Sequence, residues 1–251
     1  MTRLCCALAL VRPRVSIAAC SLALALVLIP GLLVPGCSGP GFPIVLPPEP
    51  PPAPSTLPRT TPENVLYNLR AIYDAADGSV TAVADTLEWG MMYGSLFHPD
   101  TFAFHFVEGD QPPDYPDAWW GLAEEVHSFN SLLRSKALGI ADDILLTWSL
   151  SQSEPDIRSG GNPPRLLHPT WRHVYVFNIC LDVIEGATDY RVPNGTADFY
   201  LAPDPANPAL WVITEWYDHE PTGGYSPVRS STRGTPLVPA TTWGRLKYVF
   251  F

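Results

Sequence analysis

The order of apolar and polar residues divides the chain into stretches with different periods. From Val15 to Gly36 it is almost unbroken apolar, including SLALALVLIPGLLVPG. Residues 38–62 then hold ten prolines, among them Pro47-Pro48 and Pro50-Pro51-Pro52. Such a run cannot enter a helix or the interior of a sheet and favours extended polyproline II. At roughly 3.1 Å per residue it makes a tether of up to about 75 Å. Folding patterns begin at residue 60. Thr60 and Thr61 before Pro62 and Glu63 supply a cap, a first-turn proline and an acid at the positive helix end. Val65, Leu66, Leu69, Ile72 and Tyr73 follow at helical spacing. Gly78-Ser79 break this helix, and Val80, Val83, Leu87 and Met91 predict the inward face of a second.

The period then drops to two. Phe102, Phe104 and Phe106 alternate with Ala103, His105 and Val107 as a strand, and a loop over 110–121 leads to a third helix. That helix carries Leu122, Val126, Phe129, Leu132 and Leu133 on one stripe, with Glu124 and Glu125 at its start and Arg134 and Lys136 at its end, matching the macrodipole. Ile144, Leu146, Trp148 and Leu150 alternate in one strand, and Tyr175, Phe177, Ile179, Leu181 and Val183 in a longer one. Pro193-Asn194-Gly195 predicts a turn between strands at Tyr190–Val192 and Ala197–Leu201, and Leu210–Tyr217 predicts another strand. Residues 153–170 and 219–240 read as loops. Arg245–Phe251 fits a last strand or a short helix equally well.

The apolar N-terminal stretch has two readings. A run of this length can span a bilayer as a retained helix. Against that, Pro30, Gly31, Pro35 and Gly36 damage its last turns, and no cationic anchor follows. Arg12 and Arg14 ahead of an apolar centre fit a signal peptide. Val34-Pro35-Gly36-Cys37 resembles the lipobox of bacterial lipoproteins, although Pro35 departs from the usual residue there. That resemblance implies a lipid on the Cys37 thiol, cleavage before Cys37 and acylation of the new amino terminus. The bilayer is then the first partner, reached through Cys37, and the expected location is the cell envelope after secretion across the inner membrane. The expected layout is a signal peptide at 1–36, lipidated Cys37 with its tether at 37–59, and one domain at 60–251.

Charge and cysteines narrow the choices further. Arg3, Arg12 and Arg14 are the charged residues of the first 36, so the rest carries 12 cations against 25 anions. A body at −13 repels phosphate backbones, which excludes nucleic acid as a partner. Of five cysteines, Cys180 alone lies beyond Cys37, and no C-x-x-C or Cys/His ligand spacing occurs. No metal and no cofactor is implied. Hydrolase, metalloprotease and nucleotide-binding signatures are missing as well.

Helices first, then a strand, a helix and a run of strands is an α+β order. The order resembles the nuclear-transport-factor-two-like superfamily, which includes SnoaL-like and ketosteroid-isomerase-like proteins. The residues carrying the resemblance are Pro62-Glu63-Asn64-Val65-Leu66, then Leu96-Phe97-His98-Pro99-Asp100 before Phe102-x-Phe104, then Trp211-x-Ile213 with Trp216-x-Asp218. It implies a cone-shaped domain, about three helices of the N-terminal half packed on a curved, mainly antiparallel sheet. The open end of such a cone can hold a small apolar ligand. Family members include isomerases, dehydratases, cyclases, carriers and structural modules, so fold does not choose among them.

The strand pattern supplies the candidate chemistry. Asn178 and Asp182 share a face with Cys180, Val174 and Val176, opposite the five-residue apolar face. If that face lines the cone, Asp182 is a general base raised by burial; otherwise it lies on a solvated outer face. His127, beside the stripe of the third helix, is the second candidate base, against a boundary histidine with a satisfied hydrogen bond. Tyr73, His105, Trp148, Trp211 and Trp216 are candidate pocket walls, with Asn178. Trp211 and Trp216 share a face only if a bulge lies between them. Asp218-His219-Glu220 reads as a polar turn. The expected function is a non-catalytic binding module for a small apolar ligand or a protein. The alternatives are an isomerase-, dehydratase- or cyclase-type enzyme, or an assembly subunit. The oligomeric state stays open, a dimer included.

Overall fold

Capping and apolar spacing place the first helix where the sequence does. In the computed structural model, which describes residues 55–110, 117–185, 188–220, 237–239 and 242–249, α1 spans Pro62–Ser79. Thr61 is its N-cap and accepts from the Asn64 N–H at 3.3 Å. Val65, Leu66, Leu69, Ile72 and Tyr73 are all buried. The lipobox, Cys37 and most of the proline tract lie outside the described residues. Among those described, no helix is long and apolar enough to cross a membrane.

The second helix, α2 (Asp85–Gly94), is turned the other way from expectation. Leu87 and Met91 are 65% and 63% exposed, Val83 is exposed with them, and Trp89, Gly90 and Tyr93 face inward. Two large rings bury more apolar area than Val, Leu and Met, and that decides the rotation. Gly90 permits it: a Cβ there would sit 2.2 Å from the Asn130 Oδ1. A bare backbone there leaves room for the Asn130 amide of the third helix, α3 (Leu122–Ala137), which a larger residue would have to push aside.

The fold is α+β, as the element order predicts. Three helices of the N-terminal half meet a curved, unclosed sheet, mixed but mainly antiparallel. Its strands are β1 (Ala103–His105), β2 (Trp119–Trp120), β3 (Asp143–Leu150), β4 (Glu154–Pro155), β7 (Arg172–Glu185), β8 (Thr188–Asp204), β9 (Asn207–His219) and β10 (Leu237–Pro239). A separate hairpin of β5 (Ser159–Gly160) and β6 (Arg165–Leu166) lies in the excursion between β4 and β7. The main order is β2-β1-β9-β8-β7-β3, so the early strands flank the late ones. Parallel pairs are β1 with β9, and β10 with β8. The chain's final element is a helix, α4 (Trp243–Val249), which resolves the strand-or-helix alternative.

Bulges correct two sequence readings. Pro193-Asn194-Gly195 is not a hairpin turn but an irregularity within the continuous strand β8, with Asn194 at φ 52°. Opposite it, Asn178 takes φ 54° and interrupts β7, where Ile179 pairs with Gly195. An extra residue flips the side-chain parity of everything beyond it. Val174 and Val176 therefore join Ile179, Leu181 and Val183 in the core, while Tyr175 and Phe177 lie half-buried on the outer face. The expected single face from Tyr175 to Val183 does not exist.

Candidate functional site

Between the helices and the inner sheet face lies a packed set of rings. Trp243 of α4 sits at its centre, with ring centroids 6.0 Å from Tyr73, 5.9 Å from Trp148 and 4.7 Å from Trp216. The structure thus gathers three of the predicted pocket walls, Tyr73, Trp148 and Trp216, around a residue the sequence reading did not single out. Phe129 stacks on Tyr93 at 4.1 Å, and Phe199 lies 4.5 Å from Trp216. Each such pair contributes about 0.5–1.5 kcal/mol beyond area burial.

Charges are buried among these rings. Glu125, in the first turn of α3, is sealed from solvent. Its Oε1 accepts from the Tyr93 hydroxyl and from Lys247 Nζ at 2.5 Å, and its Oε2 accepts from Trp120 Nε1 at 2.9 Å. The Lys247 ammonium lies 3.7 Å from the Trp216 ring centroid and 4.0 Å from that of Phe104. Burial pulls its pKa down to about 8, against the upward pull of Glu125. Asp218, also buried, accepts from the Gly244 N–H at 2.7 Å, and burial pushes its carboxyl up to about 7. The Ser128 hydroxyl donates to the Lys247 carbonyl at 3.2 Å. Gly244 is bare because a Cβ would stand 2.7 Å from Phe106 Cδ1. Glu125, Asp218 and Ser128 all hold α4.

A second cluster covers the outer face of the sheet. Asp198 on β8 bonds His173 of β7 at 2.6 Å and His219 of β9 at 2.7 Å. His173 also bonds Glu154 of β4 at 3.0 Å. The Asp198 hydrogen bond raises both histidine pKa values. Burial would raise Asp198, but hydrogen bonds from the two histidines outweigh it and hold it well below the usual carboxylate range. Arg158 lies over the Tyr200 ring at 3.5 Å and bonds Asp156 at 2.8 Å and Glu215 at 2.5 Å, pinning the β5–β6 excursion to the sheet. Among the described residues no group of three or more His, Cys, Asp or Glu is arranged to hold a metal ion.

The remaining predicted residues are scattered. Asp182 sits half-buried on the outer face, its Oδ1 3.6 Å from the Cys180 sulfur and away from Val174 and Val176. Asn178 is exposed at its bulge, and His127 is exposed on α3. His105 lies on the outer face, stacked on Tyr217 at 3.9 Å. The bulge required between Trp211 and Trp216 is present at Thr214, where the β8–β9 register shifts. Trp211 is partly buried against the same core. It lines a shallow cleft of about 470 Å³ with Thr60, Gln152 and Arg172.

Sequence reasoning missed Glu125 and Lys247, and it read Asp218 as part of a polar turn, whereas Asp218 lies buried within β9. One signal was available for Glu125: it stands four residues before Phe129 and so falls on the buried stripe rather than beside it. No local pattern marks Lys247, because its carboxylate partner Glu125 lies 122 residues earlier in the chain. Comparison with protein-family models found no match, and comparison with curated proteins found none. Among solved structures, the chain is similar to Rv3472, a protein of unknown function from Mycobacterium tuberculosis. The identity is 10%, the TM-score 0.32, and the coverage 64% of this chain and 76% of that one.

Proposed function

We propose that this protein is a secreted lipoprotein, anchored in the cell envelope through lipid on Cys37, whose domain binds a ligand or partner without converting it. The observation that carries the non-catalytic half is the use of the buried carboxylates. Glu125 has its donors in Lys247, Tyr93 and Trp120, and Asp218 holds the first turn of α4. A general base needs a lone pair facing substrate, and these carboxylates are occupied by the protein's own donors. The anchor rests on the basic start, the apolar centre and Val34-Pro35-Gly36-Cys37.

A second reading, acid–base catalysis of the isomerase or dehydratase type, is favoured by Asp218 alone, since a carboxyl near pH 7 is poised for proton transfer. Its bond to the Gly244 N–H argues for anchoring instead. Intact-mass measurement on membrane-expressed protein tests the anchor: a chain beginning at Cys37 with diacylglycerol mass is expected, and a retained Met1 overturns it. Native mass spectrometry of the same sample tests binding. A retained ligand or co-purifying protein is expected; a bare chain leaves the assembly-subunit reading in its place.

A further inference from the structure

Lys247 occupies a chamber made almost entirely by other parts of the chain. Phe104 comes from β1, Trp216 from β9, Glu125 from α3, Tyr93 from α2 and Trp120 from β2. Only the ammonium and the neighbouring Trp243, whose ring centroid is 5.5 Å from it, belong to α4. Two ring faces at 3.7 and 4.0 Å with a carboxylate at 2.5 Å is how an aromatic cage recognises a cation. The carboxylate keeps its direction without the lysine, because Tyr93 and Trp120 still donate to it. The Trp216 indole N–H is buried and has no partner among the described residues, but it lies in the ring plane, at the edge rather than on the face that Lys247 covers.

Burying an ion pair is also a poor way to fasten a helix. Apolar residues of similar volume often do it as well or better, by about 1–4 kcal/mol. Beside the buried Trp243 and Leu246, the polar links of α4 and its cap among the described residues are Glu125 to Lys247, Asp218 to Gly244, Ser128 to the Lys247 carbonyl, and Thr242 to Asp110 at 2.6 Å. On the binding-module reading, we propose that Phe104, Trp216 and Glu125 form an ammonium-binding cage that Lys247 fills in cis, and that a primary alkylammonium ligand displaces it with α4. The class follows from the occupant. A hydrogen bond to Glu125 needs N–H groups, which quaternary ammonium lacks, and the apolar walls suit an alkyl stem.

Hydrogen exchange of the α4 amides in the full chain tests the displacement, with n-butylammonium as probe and sodium or tetramethylammonium at equal ionic strength as controls. Exchange is expected to rise about tenfold once the probe stands about tenfold above its dissociation constant, with no rise in either control. Lys247→Ala should take up n-butylammonium and regain part of its lost Tm, and Glu125→Gln should abolish the response. Unchanged α4 protection in the wild-type chain overturns the proposal, whatever Lys247→Ala does, since Lys247 is then a fixed structural ion. The wild-type measurement therefore decides the matter even if Lys247→Ala fails to fold. A null result here with a different ligand retained in native mass spectrometry removes the ammonium cage and leaves the binding module standing.

Discussion

Lys247 and Glu125 are both sealed from solvent, and breaking such a pair from one side strands the other charge. Lys247→Met is expected to destabilise the fold by about 3–5 kcal/mol in urea unfolding. An effect below about 1 kcal/mol would mean that Glu125 is satisfied by Tyr93 and Trp120 alone. Asp218 and Lys247 also set the pH dependence. The unfolded chain ionises Asp218 near its ordinary 3.8, whereas the folded chain holds the proton to about 7. The folded state thus binds the extra proton between about pH 4 and 7, and its stability falls across that window. For Lys247 the unfolded chain holds the proton longer, to 10.5 against about 8, so stability rises again from pH 8 upward. His173 and His219 add to the loss above about pH 6.5, because their raised folded values mean that their contribution is full below the unfolded pKa and fades beyond it. A minimum in stability near pH 7–8 is expected. Asp218→Asn should flatten the slope between pH 4 and 7, and an unaltered slope would show that Asp218 does not cause it.

Asn178 and Asn194 each put one residue into left-handed backbone, and together they bend the β7–β8 ladder so that its inner face stays continuous. A β-branched residue is strained there. Asn178→Val is expected to cost about 1–2 kcal/mol, and Asn178→Gly to stay within a few tenths of wild type, both read by thermal melting. Equal effects would mean that the bulge shifts to another residue. On α2, the outward Leu87 should accept Leu87→Glu within about 0.5 kcal/mol; a larger loss in the same melts would place it in a contact. These positions show what the sequence could and could not reveal. Alternation identifies strands, and Ile144, Leu146 and Trp148 are buried as their spacing predicts. Alternation cannot tell a left-handed residue inside a continuing strand from one that ends it, so Pro193-Asn194-Gly195 reads as a turn. Likewise, when both faces of α2 carry large apolar residues, period alone cannot choose. The space available at Gly90 does, and that is a property of α3's approach. The ring-lined interior was legible as Tyr73, Trp148 and Trp216, whereas its buried ion pair, Glu125 with Lys247, joins residues 122 positions apart.

Where the tether meets the fold, several side chains and a backbone bond fasten the chain, Asn64 to the Pro58 carbonyl and the Trp211 N–H to the Arg59 carbonyl among them. The buried Asn68 side chain bonds both backbone groups of Leu57, at 2.7 and 2.8 Å. Arg59 bonds the Ser95 carbonyl at 2.9 Å and Asp204 at 2.9 Å. Limited proteolysis is expected to remove the proline tract and stop near residue 57. Asn68→Ala should let cleavage advance past Leu57, and an unshifted boundary would show that the bonds of Asn64 to Pro58 and of Arg59 hold the entry without Asn68. The strand order carries a further consequence, for synthesis. Ala103–His105 pair with Glu215–Tyr217, and Phe97 bridges to Ile213. A ribosome that has reached residue 200 has therefore made α1, α2 and α3 but not the strand that receives β1. Non-local pairing of this kind is slow and cannot begin until both ends exist. The nascent chain stays threadable for most of its length, and its body locks only when the last strand and the helix bearing Trp243 arrive.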